Sequence, residues 1–156
     1  MRLLKLQNQQ KKLDVLFNEV SKLDEDDFFK PHLSKYLCVQ VTGFLENVIK
    51  ELLFDFHDRT CKNETVRFIN IKLKNYSAIK YGQISDLLNS FSKDWDETYL
   101  NSFSKEIIES LNSVVAQRHL IAHGQEAGSN ITYSQISKYF SDLKIIISEL
   151  ENIIKK

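Results

Sequence analysis

IIESLNSVVAQRHLIAHG, Ile107 to Gly124, reads as a helix with a chemically loaded end. Ile107, Ile108, Leu111, Val114 and Val115 recur at three- and four-residue steps, which places them on one stripe of a helix. Gly124 stands where a left-handed cap favours a residue without Cβ. Between stripe and cap come Arg118, His119 and His123. A helix that packs Ile, Leu and Val therefore finishes on three basic side chains, and the spacing predicts it over residues 96–123.

Helices are expected on both sides as well. The chain has 156 residues, only four glycines and one proline, too little punctuation for strands joined by turns. Leu13, Leu16, Phe17 and Val20 form a stripe in a helix over residues 3–23. DEDDFF interrupts it, and Pro31 suits the first turn of the next helix, where its missing N–H costs little. Leu37, Val41, Phe44, Leu45, Val48, Leu52 and Phe56 carry that helix to about Arg59. Gly43 lies inside it, and the usual reason is close approach of a neighbouring helix. Ile84, Leu87, Leu88 and Phe91 mark a shorter helix that SKDWD ends. Thr132 and Gln135 form a capping box, with Ile131 placed to staple onto Ile136, at the start of a long final helix. The expected fold is all-α, one antiparallel bundle of five to six helices forming a single domain over residues 1–156.

Residues 62–81 stand apart. Lys62, Arg67, Lys72, Lys74 and Lys80 face one acid, Glu64, with Phe68, Tyr76 and Tyr81 interleaved. That mixture fits an RNA-contacting surface. The commoner arrangement, expected here, is a solvated helix face whose aromatic feet stand in the core.

Composition narrows the function. Lys+Arg and Asp+Glu number 21 each, so the overall field favours neither nonspecific nucleic-acid coating nor membrane binding. Cys38 and Cys61 lack metal or disulfide spacing and read as reduced thiols. No apolar run reaches the length of a membrane span, and MRLLKLQNQQKK does not read as a secretory signal. A soluble, cytoplasmic protein is expected.

The loaded helix end has several chemical readings. His119 and His123 are four apart and share a side of the helix, and the long Arg118 side chain can swing toward His123. Carbonyls at a helix C-terminus favour imidazolium, and a histidine poised near neutral pH both takes and gives protons. A guanidinium holds phosphate through two oxygens. Together these groups suit RNA cleavage by the ribose 2′-hydroxyl without metal. One copy is thin for base, acid and cation, and two copies across a dimer cleft would suffice. Alternatively the histidines hold zinc, with Glu126 as the nearby carboxylate, although further ligands are then needed. The bland alternative is that basic residues only complement the helix dipole.

RHLIAHG resembles the Arg-x4-His motif of HEPN domains, often written Arg-Asn-x-x-Ala-His-Gly. The flanking pattern is similar too: GFLENVIKELL in the second helix, YGQISDLLNSFSKDW before the motif helix, then a polar loop and a long last helix. The likeness covers roughly residues 31–155 and is nearest to the RiboL-PSP-HEPN branch. It implies an all-α bundle that dimerises around the motif. It further implies a metal-independent endoribonuclease of a toxin–antitoxin, abortive-infection or other defence system, acting on RNA without a cofactor. An antitoxin or neighbouring-gene product is the implied further partner. By position Arg118 and His123 become the catalytic pair, and His119 replaces the usual asparagine as a further proton carrier. Glu46 falls where a helix-two acid orients the arginine. Gln125 replaces the tyrosine that is modified in a nucleotidyltransferase-controlled branch, so that control is not implied. Some relatives are non-catalytic dimerisation or RNA-binding modules, but those usually lack the arginine or the histidine.

Overall fold

The computed structural model describes residues 2–155. Seven α-helices and one short 3₁₀ turn make up the described elements. They are α1 (Arg2–Ser21), α2 (Phe29–Thr60), α3 (Asn63–Leu73), α4 (Tyr81–Phe91), α5 (Lys93–Leu100), α6 (Lys105–Ala122) and α7 (Tyr133–Lys155), with the 3₁₀ turn at Glu126–Gly128. The all-α expectation holds, with more helices than five or six.

The extra helix comes from a break in the run expected to be continuous over residues 96–123. Asn101 Nδ2 donates to Glu97 O at 2.8 Å and Ser102 Oγ to Thr98 O at 2.5 Å. Short polar side chains that bond nearby backbone compete with helix propagation, and α6 restarts only after Ser104. SKDWD ends α4 as expected, the Ser92 N–H donating to Leu88 O, and it also opens α5: Ser92 is extended, and its Oγ accepts from the Trp95 N–H. The capping box forms as read, with Gln135 N–H on Thr132 Oγ1 and Thr132 N–H on Gln135 Oε1.

α2 is the axle, touching α1, α3, α6 and α7. Leu37, Val41, Phe44, Leu45, Val48 and Leu52 are buried along it. α6 and α7 form an antiparallel hairpin: Gln117 meets Ser129 near the turn, and Ser110 meets Asp142 further down. α1 runs antiparallel to α7, with Asp14 on Lys144 and the Tyr133 hydroxyl on Phe17 O. Lys30 is buried at the α1–α2 corner, its ammonium donating to Leu23 O and Glu25 Oε1.

Two expectations about packing change. A Cβ at Gly43 would meet nothing within 4 Å, so among the described residues no neighbouring helix comes close enough to require that glycine. Phe68 is not a foot in the core but 61% exposed. Tyr76 and Tyr81 are half-buried, and Tyr81 stacks on the buried Tyr99 ring at 4.9 Å.

Candidate functional site

The end of α6 is built by its backbone. His123 N–H donates to His119 O at 3.1 Å, and Gln125 N–H reaches back to Leu120 O at 2.9 Å. Gly124 between them has φ +73°, the left-handed conformation this closure requires. The apolar stripe below holds the helix down, with Leu111 and Val114 fully buried.

Three basic side chains leave this end in two directions. Five residues of α-helix turn the chain by about 140° beyond a full circle, so Arg118 and His123 do not share a face. Arg118 leans onto α2, where its Nη2 lies 3.7 Å from Glu46 Oε2, with side-chain exposures of 31% and 17%. His119 and His123 stay exposed with ring centroids 4.2 Å apart. The expected swing of Arg118 toward His123 is replaced by this hold from α2.

Glu46 is itself held. Lys50 Nζ donates to Glu46 Oε1 at 3.0 Å and also reaches Lys74 O at 3.4 Å, tying the acid to the end of α3. The motif does not point to Lys50, although its position four residues after Glu46 is the spacing of a helical ion pair. Cys38 packs against α6, its thiol donating to Val114 O at 3.5 Å. Burial pushes that thiol up to about 12, with the Arg118 charge opposing. Cys38 is thus a packing residue.

Among the described residues no three His, Cys, Asp or Glu side chains gather as a metal-binding group. The Glu126 side chain, the carboxylate considered for zinc, lies outside the described residues. A surface cavity of about 350 Å³ is lined by Lys30, Ser34, Ser129 and Tyr133 among others, and not by the motif. Arg118, His119 and His123 stand instead at an exposed helix end, with α2 beside Arg118.

The family model described as RiboL-PSP-HEPN matches residues 4–156. The chain belongs to the RiboL-PSP-HEPN family. No match was found among curated proteins or among solved structures. The family match takes in α1, which lies outside the likeness over residues 31–155. HEPN domains are typically ribonucleases of defence and toxin–antitoxin systems. No described helix is long and apolar enough to cross a membrane.

Proposed function

We propose that this RiboL-PSP-HEPN protein is a metal-independent endoribonuclease of a toxin–antitoxin, abortive-infection or related defence system, acting as a homodimer with a composite site. The observation that carries the reading is the division of labour at the end of α6. Glu46 fixes the guanidinium of Arg118, while two imidazoles one turn apart remain open to a substrate.

His123 takes the proton of the ribose 2′-hydroxyl, and the 2′-oxygen forms a bond to phosphorus. The bond from phosphorus to the 5′-oxygen breaks, and an imidazolium returns a proton to that oxygen. His119, or a histidine of the second copy, fills this acid role. Arg118 stabilises the charge that builds on the phosphate oxygens, a contribution of about 3–4 kcal/mol for a donor of this kind. A second motif helix supplies the wall and the groups that one convex helix end lacks, in a two-fold interface where the same patch meets itself.

The products decide the reading. The upstream fragment should carry a 2′,3′-cyclic phosphate and the downstream one a 5′-hydroxyl, in the presence of EDTA. His123→Ala and Arg118→Ala should stay folded and stop cutting. A 3′-hydroxyl with a 5′-phosphate, or full activity in His123→Ala, would sink the mechanism. Folded wild-type dimer that binds RNA without cutting it would make this chain an interaction module.

A further inference from the structure

Residues 62–80 hold five cations against one acid in a chain of zero net charge. α3 turns much of that charge outward. Arg67 and Lys72 are exposed, as are Phe68 at 61% and Ile71 at 64%. Lys72 Nζ sits 5.5 Å from the centre of the Phe68 ring. Lys62, Arg67, Lys72, Lys74 and Lys80 make no ion pair among the described residues. An ordinary solvated helix face would turn its aromatic inward, and here the ring is presented among the cations.

The position of this face ties it to the site. Lys74, just past the end of α3, offers its carbonyl to Lys50, whose ammonium holds Glu46, whose other oxygen faces Arg118. Two shallow grooves meet there and share Asn70 and Lys74, one continuing along α3 past Arg67 and Ile71, the other running onto α2 past Lys50. With eleven residues, α3 gives a track about 16 Å long that ends beside the candidate site.

We propose that the outward face of α3, with Arg67, Phe68, Ile71 and Lys72 and with Lys74 at its end, is the track on which single-stranded RNA is led to Arg118. This rests on the ribonuclease reading above. The cations neutralise successive phosphates, and the Phe68 ring offers a base a stacking platform, the combination that binds single strands without sequence preference. An acidic protein partner would meet the same charges but has no comparable use for an exposed ring.

The test separates binding from cutting. Full-length Arg67→Gln/Lys72→Gln/Lys74→Gln and Phe68→Ala proteins, checked for fold by circular dichroism, are titrated with a fluorescent single strand blocked by 2′-deoxy substitution. The triple variant should bind at least tenfold more weakly, and its dependence on log salt should flatten by about 2, at about 0.7 for each phosphate no longer neutralised. Phe68→Ala should weaken binding several-fold with the salt slope kept. On cleavable RNA the loss should appear in KM and grow with strand length. Unchanged affinity and salt slope in the triple variant overturn the track, as does an equal loss on a dinucleotide and a long strand. So does a set of variants that keep RNA binding but lose capture of an acidic partner protein. If the wild type binds the strand through this face yet cuts no RNA, the ribonuclease reading falls while the binding of single strands along α3 stands.

Discussion

Glu46 Oε2 stands 3.7 Å from Arg118 Nη2, while Oε1 of the same carboxylate accepts from Lys50 at 3.0 Å. One acid on α2 therefore sets the direction of the guanidinium on α6. Glu46→Gln keeps the shape and removes the charge. Its kcat should fall about tenfold, about 1.4 kcal/mol, with partial recovery in Glu46→Asp. Glu46 is largely buried and also holds the largely buried Lys50, so losing its charge should cost about 1.5–3 kcal/mol of stability as well, and the melting temperature should fall by several degrees. Single-turnover kinetics beside a thermal melt measures both, and an unchanged rate in folded Glu46→Gln removes Glu46 from the site.

Gly43 lies three residues before Glu46 on α2 and has open space where a Cβ would be. Glycine inside a helix costs about 0.5–1 kcal/mol relative to alanine, and no described residue fills the space at this position. The proposed dimer does, if the second copy comes close here. Gly43→Leu should leave a folded monomer while abolishing dimerisation and cleavage together. Light scattering that still shows a dimer places the interface elsewhere.

Gly124 has φ +73°, and a Cβ there would meet nothing within 4 Å. The cost of Gly124→Ala is therefore backbone conformation alone, about 1–2 kcal/mol. In a chain of this size that is a fall of about 2–8 °C in melting temperature. Because His123 is the residue before it, cleavage should drop more than stability does. Gly124→Asn should be milder, since asparagine tolerates this conformation. A melting temperature unchanged in Gly124→Ala would show that the helix end is not closed this way.

Asp142 fastens α7 to α6, accepting from Ser110 Oγ at 2.5 Å and Lys138 Nζ at 2.8 Å. Burial pushes its carboxyl up, but hydrogen bonds from Lys138 and Ser110 and the Lys138 charge outweigh this and hold it below the usual 3.8. The folded state thus binds this proton less readily than the unfolded chain does. Its stabilisation is complete above about pH 4 and is lost as pH falls through the lowered value. Asp142→Asn should cost about 1.5–3 kcal/mol at neutral pH, the scale of a hydrogen bond to a charged group. The acid limb of its stability curve should also be shallower than that of the wild type. Parallel acid limbs in urea titrations at several pH values would contradict this.

Cys38 is fully buried, and its thiol is pushed up to about 12 by that burial. Cys61 is partly exposed. A thiol reagent at pH 8 should label one cysteine per native chain and two in denaturant, with RNA cleavage undiminished by the native labelling. Rapid labelling of both in the native state would mean that the α2–α6 contact opens readily.

The sequence by itself determined the helices and their chemistry. The stripe of α6, the capping box at Thr132 and the glycine at 124 all follow from local rules, because helix periodicity and caps depend on residues within one or two turns. The basic group Arg118, His119 and His123 was legible for the same reason, and so was the Glu46 position through the family resemblance. Where the chain would break between Leu100 and Lys105 was not legible. There, side chains of Asn101 and Ser102 compete with the helix for the same carbonyls, and the apolar period alone does not register that competition. The tertiary structure alone decided direction: Arg118 toward α2, the histidines into solvent, Phe68 outward and Cys38 against α6. Each depends on which helix lies alongside, and that is set by how α1, α2, α6 and α7 share one core rather than by the spacing of residues along any of them.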